Sequence, residues 1–246
     1  MGISIVLQYA TLAACALFIA QAVRRYDLHT REPIWALALA TLLGAGGMWL
    51  AGQTQLAVIT SIHRNSGMIS DPALAFLAGS TEELAKLAAV ALVLIIARRH
   101  FNETLDGLIY GSFAGLGAAI EESIAILGSN QGISTLPPQE PVRLAGHLIM
   151  GGIAAAGLGA FAAGHRRGRR LLITCFLAAV ALHTIWDVVA FGAEVHFRAT
   201  RSQGGFYAAA PIALMIAGMI GFRRLISIWG ESACLSVPHA TGDLQR

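Results

Sequence analysis

Seven long apolar stretches constrain the fold of this chain more than any other feature of its sequence. They fall at about 3–23, 34–52, 72–97, 106–128, 142–164, 171–192 and 207–223. A helix needs roughly 20 apolar residues to cross a hydrocarbon core about 30 Å thick. Since 56% of the 246 residues are hydrophobic, we predict an all-α, polytopic membrane protein, a helical bundle of about seven transmembrane helices.

The arginines predict the orientation of this bundle. Twelve arginines fall on one side of the predicted membrane and four, Arg64, Arg143, Arg198 and Arg201, fall on the other. Loops rich in Lys and Arg stay in the cytoplasm, so we predict the N-terminus outside and the C-terminus inside a cell membrane, plasma or inner. The formal net charge of +3 follows from this loop asymmetry, and we expect no nucleic-acid partner.

Little of the chain remains outside the predicted helices. We therefore predict a single transmembrane domain at 1–224 and a short cytoplasmic tail at 225–246, partly disordered because its hydrophobic periodicity is lost. The segment 53–70 is too short and polar to span twice, and one interpretation is an interfacial or re-entrant helix over the outer side of the bundle. Glycine and alanine dominate 111–119 and 151–164, which predicts that the fourth and fifth helices pack closely at the centre.

Three charged residues lie inside the third apolar stretch: Glu82, Glu83 and Lys86. Each charge near a helix centre costs about 2.5–3.5 kcal/mol on insertion, whereas a large aliphatic residue returns only about 0.3–0.6 kcal/mol. This helix is therefore not expected to expose that face to lipid. Lys86 follows Glu82 by four residues and Glu83 by three, so it can neutralise either carboxylate, but not both. The remaining glutamate favours a functional role over a purely structural ion pair.

Other polar side chains are predicted at a similar depth. Helical rise places Glu82 and the polar residues of the later helices roughly 8–15 Å from the outer ends of their spans, so they can form one cavity. A carboxylate four residues from a histidine can orient its imidazole, as Asp187 can for His183. The candidate bases of the cluster are Glu82, Glu83 and Glu122. The candidate electrophiles or metal ligands are His147 and His183, and the orienting group is Asp187.

The order of these motifs resembles a known family. "EELAK" (82–86) resembles the EExxK signature of the PrsW family of intramembrane proteases, which is distantly related to CAAX-prenyl-endopeptidase-like (CPBP) proteases and to the scaffold protein APH-1. "DGLIYGSFAGLGAAIEES" (106–123), "HLIMGGIAAAGLG" (147–159) and "HTIWD" (183–187) are similar to its later blocks, within a motif core of about 70–190. Two positions depart from the family pattern, since Ala118 replaces the usual Phe and Ser123 the usual Asn.

The resemblance implies an intramembrane endopeptidase that hydrolyses peptide bonds of membrane-anchored proteins. The namesake acts on an anti-sigma factor in regulated intramembrane proteolysis. We expect Glu82 to activate water and Glu83 to assist it or bind metal, with Lys86 fixing their charge state. His183, oriented by Asp187, is expected to stabilise the oxyanion or ligate metal.

The cofactor is left open by the sequence. The chain has no HExxH motif, and carboxylates with histidines can either hold Zn²⁺ or another divalent ion or work without metal. The enzyme would then be a metallo- or a glutamic-type endopeptidase. Glu122 and His147 complete the predicted cavity, and the candidate metal ligands are Glu83, Glu122, His147 and His183.

Two other functions remain open. A proton-coupled transporter or channel would also use paired carboxylates and histidines within the membrane. A non-catalytic scaffold similar to APH-1 would retain the histidines and lose the catalytic glutamates, so the intact EExxK argues against it. Cleavage of a membrane-anchored protein, with the lipid bilayer as its surroundings, distinguishes the protease from both alternatives.

Overall fold

The computed structural model describes residues 2–25, 31–65, 67–129, 136–137, 139–199 and 204–235. Within these ranges the chain forms seven α-helices and no strand, and a short 3₁₀ helix, Arg98–His100, follows the third. The α-helices are α1 (Gly2–Arg24), α2 (Ile34–Asn65), α3 (Asp71–Ile96), α4 (Thr104–Ser129), α5 (Glu140–Ala162), α6 (Gly168–Ala199) and α7 (Gly204–Leu235).

The prediction of an all-α membrane bundle is confirmed. Among the described residues, four helical segments are long and apolar enough to cross a membrane: Ile5–Arg24, Ile34–Asn65, Glu140–Ala162 and Gly168–Phe191. The helices α3 and α4 have 26 residues each, which is also sufficient to span. In α3 the apolar stretch contains three ionisable residues, Glu82, Glu83 and Lys86, and all three are buried in the bundle.

The end of α2 differs from the prediction for the segment 53–70. The helix continues without interruption from Ile34 to Asn65, so 53–65 is not a separate interfacial or re-entrant helix. No Gly or Pro follows Gly52 until Gly67, which has a positive φ of 90° and stands in the connection to α3. At about 1.5 Å per residue, the 32 residues of α2 measure roughly 48 Å, so the helix extends past the hydrocarbon core or is tilted in it.

The last helix also extends further than the apolar stretch that predicted it. It ends at Leu235, whereas the tail was predicted to begin after Arg224. The first part of the predicted tail is therefore helical. The remainder, 236–246, lies outside the described residues.

The centre of the bundle is formed by α4 and α5, as their small residues predicted. Both helices are buried along most of their length. A Cβ on Gly111 would lie 2.3 Å from the carbonyl oxygen of Gly151, and one on Gly115 would lie 2.1 Å from that of His147. Larger residues cannot occupy these positions without separating the two backbones, which explains the glycines.

The exterior of the bundle is apolar and its interior contains the charges. On α3, Leu84, Leu92 and Ile95 are exposed, whereas Glu83 and Lys86 are fully buried. This distribution is inverted relative to a water-soluble protein and is suited to lipid, because hydrocarbon cannot solvate a charge. The structure thus explains how a helix with three charges can cross a membrane.

Candidate active site

Glu83 lies at the centre of a buried polar cluster. Lys86, one helical turn further along α3, donates from Nζ to Glu83 Oε1 over 2.6 Å. On α6, His183 Nδ1 lies 2.7 Å from the same oxygen. All three side chains are almost completely inaccessible. Lys86 therefore pairs with Glu83 of the two neighbouring glutamates, and it leaves Glu82 to other partners.

The orientation of His183 depends on Glu83 rather than on Asp187. The i, i+4 spacing places Asp187 beside the imidazole, but its Oδ2 lies 3.6 Å from Nε2, beyond ordinary hydrogen-bond length. Glu82 Oε2 lies 3.5 Å from the same nitrogen. The predicted orienting role of Asp187 therefore needs correction, because the hydrogen bond that fixes the ring is made at Nδ1 by a residue of α3.

A second pair joins α4 to α5. His147 Nε2 lies 3.0 Å from Glu122 Oε2. The ring of His147 meets that of His183 edge-on, with centroids 5.2 Å apart and an angle of 79°. The structure therefore brings the sequence-predicted site residues of α3, α4, α5 and α6 into one cluster.

The sequence analysis missed a charged network at the α5 end of this cluster. Arg143 Nη1 donates to Glu140 Oε1 over 2.7 Å, and its Nε lies 3.6 Å from Glu122 Oε1. Ser123, one of the two residues that depart from the family pattern, donates from Oγ to Glu140 Oε2. Arg143 precedes His147 by four residues, so helical spacing was a signal that the two share a face.

Gln55 of α2 is the other missed neighbour. Its Nε2 donates to Glu82 Oε1 over 3.2 Å and to Thr81 Oγ1 over 2.9 Å. No local signal pointed to it, since the contact exists only because α2 continues beyond 52.

The cluster is accessible on one side. The side chains of Glu122, Arg143 and Asp187 are 31%, 21% and 17% exposed, whereas that of His183 is 3% exposed. The three more exposed groups come from α4, α5 and α6. The more exposed part of the cluster is therefore formed by these three helices, and the histidines are buried beside it.

Comparison with known protein families identifies the family of this chain. The model of the PrsW family intramembrane metalloprotease matches residues 32–217, about three quarters of the chain. The chain belongs to the PrsW family. The resemblance of "EELAK" and the later motifs is thereby confirmed, and PrsW membership makes the protein an intramembrane protease acting on membrane proteins within the bilayer. The suggested relationship to CPBP proteases and APH-1 stays a prediction.

No curated protein and no solved structure matches the chain. The assignment to the PrsW family therefore depends on the family match and on the geometry of the site. The match extends from Glu32, before α2, into α7 and so includes every helix that contributes to the cluster.

A metalloprotease of the PrsW family requires a group of ligands, and the structure contains one that fits. Glu82, His147 and His183 can each direct one ligand atom to a common point, and these atoms lie within 4.8 Å of one another. Four buried atoms of the cluster form no hydrogen bond, namely Glu82 Oε2, Glu83 Oε2, Glu122 Oε2 and His147 Nδ1, although Glu122 Oε2 has His147 Nε2 as its ion-pair partner at 3.0 Å. Buried polar atoms are rarely left without a partner. Two of these residues, Glu82 and His147, belong to the group that could hold a divalent cation.

The ligand group differs from the predicted one. His147 and His183 were expected, and Glu82, predicted as the base, joins them. Glu83 is not part of the group, since its Oε1 contacts Lys86 and His183. Glu122 is instead the ion-pair partner of His147 and Arg143.

Proposed function

We propose that this PrsW-family protein is a metal-dependent endopeptidase of the cell membrane that cleaves membrane-anchored proteins at a site held by Glu82, His147 and His183. One observation carries the proposal: three helices direct potential ligand atoms of these residues to within 4.8 Å of one another in a buried site. Two imidazoles and one carboxylate are a ligand set that Zn²⁺ uses in hydrolytic enzymes. When bound there, Zn²⁺ would supply Lewis-acid polarisation of the scissile carbonyl and of a water molecule.

The remaining residues support this group. Glu83 accepts the Nδ1 proton of His183 and so leaves Nε2 for the ligand position, an arrangement that holds many metal-binding histidines. Lys86 neutralises Glu83 and offsets the cost of burying its charge. The network of Arg143, Glu140 and Ser123 holds Glu122 beside His147.

Asp187 is the carboxylate that we assign to proton transfer. It forms no hydrogen bond within the described part of the chain, and its Oδ2 lies 3.6 Å from His183 Nε2. Its partial exposure supports this role, because water can contact a partly exposed carboxylate. A carboxylate in this position can take a proton from water and later return one to the leaving amine.

The substrate class follows from the position of the site inside an apolar bundle. A segment of a membrane-anchored protein can approach the accessible side while its anchor remains in lipid. We propose regulated intramembrane proteolysis of a single-span protein, for example an anti-sigma factor.

Reconstitution in vesicles with a single-span test substrate tests the proposal. Cleavage by the wild type is expected to disappear in Glu82→Gln, His147→Ala and His183→Ala, and to persist in Glu121→Gln. Glu121 is the partly exposed neighbour of Glu122 on α4 and provides the matched control. A chelator is expected to abolish cleavage and Zn²⁺ to restore it.

The opposite results separate the alternatives. Full cleavage by Glu82→Gln would refute the site. Proton flux without cleavage would indicate a carrier. Cleavage that survives the chelator, by protein that contains no metal in elemental analysis, would favour the glutamic-type mechanism, with Glu82 as the base.

A further inference from the structure

Gln55 is a polar residue on the part of α2 that extends past the predicted apolar stretch. It is half-buried, and its side chain reaches α3, where it contacts the residue pair Thr81 and Glu82. This contact makes α2 a fifth helix of the site. A glutamine between two membrane helices is expected to have its amide hydrogens satisfied.

The hydrogen bonds of Thr81 define which way the Gln55 amide faces. The Thr81 hydroxyl donates to the Leu77 carbonyl oxygen over 2.8 Å, so towards Gln55 it can only accept. An ionised Glu82 carboxylate also only accepts. The group that faces both must therefore be the NH₂ of Gln55, and both of its hydrogens are used.

The contact makes the two oxygens of Glu82 unequal. Oε1 accepts from Gln55, whereas Oε2 has no hydrogen-bond partner and lies 3.5 Å from His183 Nε2. Without Gln55, the carboxylate could rotate about its last torsion and present either oxygen or both. With Gln55 in place, one oxygen is directed into the site.

We propose that Gln55 is a positioning residue that holds Glu82 so that it presents Oε2 alone to the metal and substrate. This inference rests on the proposed function, because it assigns Glu82 to the reacting centre. Gln55 contacts neither histidine and acts through Glu82. Thr81 supports it by fixing the orientation of the amide.

The test compares Gln55→Met with Gln53→Met in the full-length reconstituted protein. Methionine has nearly the length of glutamine and keeps the packing, but it donates no hydrogen bond. Gln53 is exposed on the same helix and provides the matched control. The measurements are kcat and KM for the test substrate and, without substrate, the dissociation constant for Zn²⁺ alone.

Loss of an outer partner of a metal ligand typically lowers metal affinity or activity about 10–100-fold. We expect Gln55→Met to lower kcat about 10-fold with KM unchanged, and to raise the Zn²⁺ dissociation constant by about the same factor. Gln53→Met is expected to leave both unchanged. In a Glu82→Gln background, Gln55→Met is expected to have no further effect on Zn²⁺ binding, because the group that it positions has changed.

The possible failures are distinguishable. If the wild type cleaves and Gln55→Met matches Gln53→Met in kcat and Zn²⁺ binding, the role of Gln55 is refuted and the proposed function stands. If the wild type binds Zn²⁺ without cleaving, and Gln55→Met weakens that binding, the positioning role stands and the protease proposal fails. If Gln55→Met lowers both the melting temperature and the activity but leaves the Zn²⁺ affinity unchanged, Gln55 is only a structural link between α2 and α3.

Discussion

Gly115 of α4 lies directly against the backbone of His147, so a single added methyl group tests how helix packing positions the site. A Cβ at Gly115 would lie 2.1 Å from the His147 carbonyl oxygen, whereas ordinary contact begins at 3.4 Å. The two backbones must therefore separate by about 1.3 Å. Overpacking of this kind costs about 1–3 kcal/mol. The upper end applies, since a backbone oxygen cannot rotate away as a side chain can.

The displacement also moves His147 relative to Glu82 and His183. A misplacement of about 1 Å in a catalytic group can reduce the rate about 100-fold. Gly115→Ala is therefore expected to unfold at lower denaturant concentration and to cleave the test substrate about 100-fold more slowly. Gly128→Ala is the control, because it adds the same methyl group to α4 with no atom within 4 Å.

Unfolding in detergent and cleavage in vesicles measure the two effects separately. Gly128→Ala is expected to be at least as stable as the wild type, since alanine favours a helix over glycine. If Gly115→Ala equals Gly128→Ala in both measurements, close packing of α4 on α5 does not set the position of His147. If it loses only stability, the histidine has enough freedom to recover its place.

Three further predictions concern the charges of the cluster. Lys86→Met is expected to lower the free energy of unfolding by about 3 kcal/mol. This is the lower end of the cost of breaking a buried ion pair, because His183 still contacts Glu83. Adding Glu83→Gln to Lys86→Met should recover part of that loss, measured by unfolding in detergent. Asp187→Asn should lower kcat at least about 100-fold while the affinity for Zn²⁺ stays unchanged. Glu83→Gln should lower both kcat and the affinity for Zn²⁺. If the two variants lose Zn²⁺ affinity equally, Asp187 and Glu83 do not have separate roles. Glu140→Gln should reduce stability more than Arg143→Gln, because Glu140 is fully buried and Arg143 is partly exposed; the reverse order would refute the buried network.

The site residues that the sequence predicted each carry a local signal. A charge inside an apolar stretch is costly wherever the helix packs, so Glu82, Glu83 and Lys86 were recognisable without coordinates. Helical rise alone placed Glu122 and His147 at a depth similar to theirs. The glycines of α4 and α5 indicated close packing for the same reason, since an absent side chain is a property of the chain itself.

The sequence carried no local signal for which of these residues form hydrogen bonds with one another. Spacing along α6 suggested that Asp187 orients His183, but the hydrogen bond comes from Glu83, 100 residues away in sequence. Gln55 could not be identified, because its role depends on the length of α2 and on its packing against α3.

The amino-acid order alone was sufficient for the membrane location, the helical class, the family and the central residues of the polar cluster, but not for Gln55, Glu140 or Arg143. The family follows from the order of its motifs, and the other properties follow from hydrophobicity and helical periodicity, which act over a few residues at a time. Packing of the helices was needed to divide that cluster into ligand, orienting and proton-transfer groups. A hydrogen bond forms or fails over tenths of an ångström, and such distances between helices are set by all the contacts of the bundle together.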